Sequence, residues 1–233
     1  MNEHLLSKRL ACVGSYVPNQ ARIADIGSDH AYLPVYLMLN EKISYAIAGE
    51  VVPGPYQSAK NQVQRQGIAD RIDVRLANGL QAITPEDGIQ VITIAGMGGS
   101  LIASILEEGR TTGKLVGVSR LVLQPNIGEE GLRSWLMAHH YQLIAEEIIE
   151  EQGKIYEIMV AQPTASPVRY TKKERLFGPF LMQQPTPVFL KKWQHEQTQK
   201  ERVLANLQQA QTVPTEKLAQ IQEELALIKE LFV

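Results

Sequence analysis

Cysteine is nearly missing: Cys12 is the only one in 233 residues. No internal disulfide can form, so an intracellular, cytoplasmic protein is expected. No apolar run approaches the roughly 18 residues of a membrane span. The first stretch, MNEHLLSKRLACVGSYV, lacks the charged-then-apolar layout of a secretion signal and reads as an amphipathic helix. None of the five histidines pairs with cysteine at metal-ligand spacing. His139 and His140 are adjacent, which on a helix turns their rings about 100° apart, so no metal is expected. Internal repeats and low-complexity tracts are absent as well.

What remains is ordinary material for a packed core, 44% apolar and 21% charged. The length suggests one full domain and something smaller. The net charge of −2 is unevenly spread. Residues 1–162 hold 13 Lys+Arg against 18 Asp+Glu, a net of −5, whereas residues 163–233 hold 10 against 7, a net of +3. A polyanionic partner would be drawn to the C-terminal part. The same charges also fit a solvated helical surface.

Short β-like runs alternate with helical ones. Strands are expected at Arg22–Ile26, Ser44–Gly49, Ile72–Leu76, Gln90–Ala95 and Arg120–Gln124. Helices are expected near Tyr32–Asn40, Tyr56–Gln66, Ser100–Glu108 and Glu129–His139. That alternation implies βαβ units and a parallel sheet covered on both faces. After His140 the pattern changes: YQLIAEEIIEEQGKIYEIMVAQP gives two strands joined at Glu151-Gln152-Gly153-Lys154, an antiparallel hairpin. The expected fold is therefore α/β and Rossmann-like, with parallel strands ending in an antiparallel hairpin across residues 1–162.

Prolines interrupt residues 163–187, which are expected to form a linker packed on the core through Leu176, Phe177, Phe180 and Leu181. Residues 188–233 then give two helices, Val188–Gln211 and Thr215–Phe232, broken at Thr212-Val213-Pro214. In the second, Leu218, Ile221, Leu225, Ile228 and Phe232 step by 3, 4, 3 and 4, a narrow coiled-coil-like seam. The first carries a patchier stripe of Phe189, Trp193, Val203, Leu204 and Leu207. An antiparallel two-helix hairpin is expected.

Ligands of open α/β sheets bind beyond the carboxyl ends of the strands, so the residues there carry the chemistry. After the first strand, RIADIGSDHAYLP places Gly27, Ser28, Asp29 and His30 where a phosphate loop would have more glycines. Asp29 would repel a phosphate and suit an ammonium or sulfonium; it also fits a plain helix cap. Glu50 lies 23 residues beyond Gly27, the place of an acid that bonds ribose hydroxyls, although any surface glutamate would look the same. Asn78 and Gly79 either hold an adenine edge or form a tight turn. Ala95, Gly96 and the residues after them offer backbone groups, and Gln124-Pro125-Asn126 offers amides. No cysteine, metal set or serine–histidine pair joins them. That argues against nucleophilic catalysis and favours a reactive cofactor positioned beside an acceptor.

Together DIGSDHAYLP, IAGEVVPGPYQSA, VRLANGL, ITIAGMGG, LQPN and RLFGPFL resemble the bacterial tRNA (adenine(22)-N(1))-methyltransferase family over nearly the whole chain. The resemblance implies a class I methyltransferase domain that uses S-adenosylmethionine (SAM), followed by a helical domain used on tRNA. It implies Asp25, Gly27, Ser28 and Asp29 along the methionine end, Glu50 at the ribose, Asn78 and Gly79 at the adenine, and Ala95 and Gly96 under the sulfonium. Asp29 and Asn126 are the candidates for positioning the substrate. Lys8, Arg9, Lys172, Lys173, Arg175, Lys191 and Lys192 are the candidates for holding RNA. The expected state is a monomer. Three rivals stand beside this reading: methylation of another RNA, a dinucleotide-dependent oxidoreductase, and a non-catalytic RNA-binding protein.

Overall fold

Five runs become parallel strands: four are apolar and largely covered on both faces, and the one at the sheet edge alternates buried with exposed residues. They are β1 (Ala21–Ile26), β2 (Ile43–Glu50), β3 (Ile72–Leu76), β4 (Val91–Met97) and β5 (Arg120–Pro125). Ile23, Ile47, Ile92, Ile94 and Val122 have no exposed surface. The computed structural model describes residues 5–208 and 215–232. It divides into two compact units, Met1–Phe180 and Leu181–Val233.

In the first unit, helices α1 (Lys8–Ser15), α2 (Tyr32–Leu39) and α3 (Pro53–Arg65) contribute Val13, Leu33 and Val63 to one core. Helices α4 (Gly99–Thr111) and α5 (Glu129–Ala138) contribute Ile102, Leu106, Leu132 and Leu136 to a second. Strands β6 (Tyr141–Glu151) and β7 (Lys154–Pro163) form the expected antiparallel hairpin. Its turn, Gln152-Gly153, has φ of 51° and 74°, the left-handed pair that matches strand twist. The sheet order is β3-β2-β1-β4-β5-β7-β6. The chain leaves β1 toward β2 and β3, then returns to place β4 on the other flank of β1. The crevice between β1 and β4 is therefore the topological switch point.

The ends of the elements differ from the sequence expectation by a few residues. The one that matters is β4, which runs on to Met97, so Ala95 and Gly96 belong to its last turn of chain. Its register with β5 shifts between Ala95 and Met97, where Gly96 takes φ 82°.

The 163–187 stretch is not all irregular. It contains a further helix, α6 (Lys172–Phe177), started by a reciprocal capping box between Thr171 and Glu174. Six residues are too few for a helical period to show. Leu176 and Phe177 are buried, as expected, but Phe180 is 39% exposed. What fastens this segment is mainly polar. The fully buried Arg133 donates through Nε to Glu146 (2.7 Å), through Nη2 to Glu157, and through Nη1 to the carbonyls of Arg175 and Leu176. Phe180 N–H donates to the other Glu146 oxygen at 3.0 Å. A Cβ on Gly178 would lie 2.7 Å from both Arg133 and Glu146, so the chain passes only as glycine.

The second unit holds α7 (Pro187–Gln208), α8 (Thr215–Lys229) and a closing 3₁₀ turn at Glu230–Phe232. The expected break at Thr212-Val213-Pro214 and the end of the first helix at residues 209–211 lie outside the described residues. The two helices pack on each other, with Lys200 donating to Glu224 and Lys229 3.6 Å from Glu201. Phe189, Trp193, Ile221, Leu225 and Ile228 are buried. The seam is shorter than the sequence suggests: Leu218 is half-buried, while Phe232 and Val203 are exposed.

Candidate active site

The loop after β1 is folded tightly against β2. Gly27 and Ser28 both donate their N–H to the carbonyl of Gly49, at 2.9 and 3.2 Å. Gly27 has φ 69°, and a Cβ there would stand 2.1 Å from the terminal methyl of Met97. Asp29, His30 and Ala31 follow with φ of 46°, 68° and 60°. Three successive non-glycine residues in the left-handed region are costly, and side-chain bonds hold them there. Asp25 is 4% exposed and accepts from Ser28 Oγ and Thr93 Oγ1, both at 2.6 Å, one on each oxygen. Glu50 is 5% exposed and accepts the His30 N–H at 3.3 Å.

These groups make the crevice acidic. Burial pushes Asp25 above the ordinary carboxylate range against the pull of its two hydroxyl donors. Glu50 is also raised, by burial first and by the charges of Asp25 and Asp29, with the His30 N–H opposing. Asp29 is different: its side chain is 73% exposed and lies 3.6 Å from His30 Nε2. It does not cap α2. The residue at that position is Ala31, and no side chain bonds the helix start.

Beyond β4 and β5, amides hold the backbone in place. Gly96 N–H donates to Gln124 Oε1 at 3.0 Å, and the Gly96 carbonyl accepts from Asn126 Nδ2 at 2.8 Å. Gln124 Nε2 donates in turn to Asn126 Oδ1 at 3.2 Å. Asn126 N–H reaches the Met97 carbonyl, and Gly99 N–H the Ile127 carbonyl, each at 2.7 Å. Gly99 tolerates no Cβ, which would meet the Gly128 oxygen at 2.4 Å.

Arg9 comes from α1 to the same place. Its Nη1 donates to Gln124 Oε1 at 2.6 Å, and its guanidinium stands over the Tyr156 ring at 5.6 Å. It is half-buried, whereas Lys8 is exposed. At the end of β3, Asn78 is exposed and Gly79, with φ 51°, packs on Ile105.

Thus Asp25, Gly27, Ser28, Asp29, Glu50, Ala95, Gly96 and Asn126 gather at the carboxyl ends of β1, β2, β4 and β5, with Asn78 and Gly79 beyond β3. Lys172, Lys173 and Arg175 stand apart on α6, where Arg175 Nη1 donates to the Tyr170 carbonyl at 2.8 Å. Lys191 and Lys192 lie on α7 in the second unit, Lys192 5.4 Å from the Trp193 ring.

The model of the tRNA (adenine(22)-N(1))-methyltransferase family matches residues 23–230. The chain belongs to this family. It is 46% identical to the tRNA (adenine(22)-N(1))-methyltransferase of Bacillus subtilis, over 99% of this chain and 98% of that one. A Streptococcus pneumoniae protein solved in complex with S-adenosyl-L-methionine is 47% identical, with a TM-score of 0.88 over 98% of this chain and all of its own. M. capricolum TrmK, solved with S-adenosyl-homocysteine, is 27% identical, with a TM-score of 0.85 over 97% of each chain.

For this family member, three side chains in the crevice were not singled out from sequence. Thr93 is the hydroxyl inside the otherwise apolar VITIA, a signal that was there to be read. Met97 closes over Gly27 from the neighbouring strand, β4. Gln124 is seen in sequence only as one amide of a strand end, yet it ties Arg9 to Gly96.

Proposed function

We propose that this chain transfers the methyl group of SAM to N1 of adenine 22 in tRNA. The observation that carries the reading is the end-to-end match, at 46% identity, to the Bacillus subtilis enzyme of that name.

The crevice suits the cofactor. Asp25, Asp29 and Glu50 bring three carboxylates to it, against the single guanidinium of Arg9 beside Gly96 and Gln124. Such a lining repels a pyrophosphate and favours a sulfonium and an ammonium. Gly27 and Gly96 let the Met97 methyl and the Arg9 guanidinium approach the backbone where a Cβ would stand. Glu50 is proposed to take the ribose hydroxyls, Asn78 and Gly79 the adenine, and Gly27, Ser28 and Asp29 the methionine end. Asp25 is proposed to act through Ser28 and Thr93, which already occupy its oxygens. SAM supplies an electrophilic methyl group at this place.

The acceptor needs no strong base. Adenine N1 carries an in-plane lone pair, and no proton must leave for the new bond to form. The chain's task is orientation and charge placement. Ala95 and Gly96 form the floor on which the base would rest, and Asn126 and Gln124 fix that floor. The developing positive charge on the adenine ring is favoured by carbonyls and by the Asp29 carboxylate. N1 sits on the Watson–Crick edge, so the target base must be turned out of its stack.

Lys8, Lys172, Lys173, Arg175, Lys191 and Lys192 are proposed to meet the tRNA backbone, and Arg9 to hold the β4–β5 end of the crevice. The domain boundaries proposed for this division of labour are 1–162 for the cofactor unit, 163–187 for the connecting segment and 188–233 for the helical hairpin. A monomer acting in the cytoplasm is sufficient, because all proposed residues lie in one chain. No described helix is long and apolar enough to cross a membrane.

Titrating SAM into the protein and assaying methyl transfer to unmodified tRNA, beside a tRNA with guanosine at position 22, tests the reading. Transfer to the first alone is expected; equal transfer to both would contradict it.

A further inference from the structure

Beside the crevice, a separate cavity of about 260 Å³ opens between the start of α2 and one face of α3. It is lined by His30, Tyr32, Ser58, Gln62, Arg65 and Gln66. The last four recur at helical spacing and so share a face of α3. The lining holds an imidazole, a phenol, a hydroxyl, two amides and a guanidinium, and no carboxylate. Asp29, paired with His30 at 3.6 Å, is not part of it.

The charge of α3 is distinctive. PGPYQSAKNQVQR contains Lys60 and Arg65 and no acidic residue, within a stretch, residues 1–162, whose net charge is −5. Gln62 is only 8% exposed, and its buried Nε2 has no hydrogen-bond partner among the described residues. A buried N–H left so is uncommon and costly. Arg65 is exposed and gives Nε to the Asn61 carbonyl at 3.2 Å.

We propose that this cavity holds a phosphate of the RNA backbone beside the target nucleotide; the inference rests on the methyl-transfer reading above. The chemistry is that of an oxyanion site: several donors, a guanidinium fork suited to two oxygens of one phosphate, and no carboxylate in the lining, with Asp29 outside it against His30 Nε2. The volume accommodates a phosphate with a few waters, each taking about 30 Å³. The position follows from His30. Its backbone N–H is bonded to Glu50, in the crevice, while the same residue lines the cavity. A base turned out into the crevice requires its own sugar–phosphate to be held close by. This cavity is the cationic counterpart, one residue away, of the acidic cofactor crevice.

The test uses the full chain and the variants Arg65→Gln and Arg65→Lys. Arg65 is exposed, so both are expected to fold and to bind SAM as the parent does. Arg65→Gln is expected to bind tRNA about tenfold more weakly, the scale of one charge-assisted hydrogen bond. The slope of log affinity against log salt should shrink by about 0.7 to 0.9, the share of one phosphate. At saturating tRNA, kcat should stay within about twofold, and Arg65→Lys should recover part of the affinity.

Unchanged tRNA affinity and salt slope in Arg65→Gln, with methyl transfer intact, would overturn the cavity and leave the enzyme reading standing. Weakened SAM affinity would assign the cavity to the cofactor's own carboxylate and overturn it too. Inorganic phosphate that binds the parent but not Arg65→Gln, with tRNA affinity equal in both, would mark a free-anion site and overturn the RNA assignment. A parent chain that transfers no methyl to tRNA would overturn the enzyme reading, and this inference with it.

Discussion

Thr93 Oγ1 lies 2.6 Å from Asp25 Oδ1, tying β4 to β1 at the switch point of the sheet. Thr93 is fully buried and Asp25 4% exposed. Replacing Thr93 with valine keeps the shape and removes the donor. The orphaned carboxylate oxygen should then cost about 1–3 kcal/mol, a fall in Tm of roughly 3–10 °C for a unit of this size. SAM affinity should fall with it, because Asp25 also holds Ser28. Thermal unfolding with and without SAM checks both; an unchanged Tm would show that the pair contributes little.

That pair also marks the limit of what the sequence discloses. Strands β1, β2, β4 and β5 were legible because apolar runs in a sheet covered on both sides have nowhere else to go, and the edge strand β3 because its residues alternate. The hairpin was legible because Gln152-Gly153 separates two alternating runs. Asp25 and Thr93 are 68 residues apart, and only the strand order β1–β4 brings them together. The run Asp29-His30-Ala31 in left-handed backbone was not legible either. Non-glycine residues adopt it here under tertiary constraint from Asp25, Ser28 and Glu50. Arg133 reads as a surface charge on α5, and Glu146 and Glu157 as the solvent side of their strands. They are buried because each neutralises another. Glu50 does end β2 and Gly27 does follow β1, whereas Gly96, expected after the fourth strand, lies within β4.

Glu50 gives a pH prediction. Its carboxyl is held above the ordinary glutamate value of 4.5, by burial first and by Asp25 and Asp29 next. The charged form is the one that bonds ribose hydroxyls. SAM affinity should therefore be level at high pH and fall as pH drops through this raised pKa, earlier than for an ordinary glutamate. Glu50→Gln should be weaker at neutral pH and flat across that window. The unliganded fold responds with the opposite sign: the native state holds the proton more tightly than the unfolded chain, so its stability falls as pH rises from the unfolded pKa through the folded one. Glu50→Ala should lose about 1.5–3 kcal/mol of SAM binding, roughly 10- to 150-fold. Calorimetric affinities that do not change would remove Glu50 from the site.

Asp29→Asn separates charge from helix capping. No side chain caps α2, so the substitution should leave stability within about 0.5 kcal/mol. Loss of the exposed carboxylate should lower methyl transfer. Measuring kcat, SAM affinity and Tm on one preparation decides it. A fall in Tm with full kcat would return Asp29 to a structural role.

A chain ending at Phe180 should keep SAM affinity, because every proposed cofactor residue lies before that boundary between the two units. It should bind and methylate tRNA poorly. The removed residues carry Lys191, Lys192, Lys200, Arg202, Lys217 and Lys229, and their contribution should weaken as salt rises. Comparing tRNA affinity at two salt concentrations in both chains reads this. Equal methyl transfer by the two would show that the helical hairpin is not the tRNA-holding element.

The position and atom of the modification remain the decisive readout. Methylation at N1 blocks the Watson–Crick edge, so reverse transcription of treated tRNA should stop one nucleotide 3′ of adenine 22, only when SAM and the full chain are both present. Mass analysis of that nucleoside should give a methyl group on N1. A methyl group that maps to another position or another atom, or no methyl transfer at all, would contradict the proposed function.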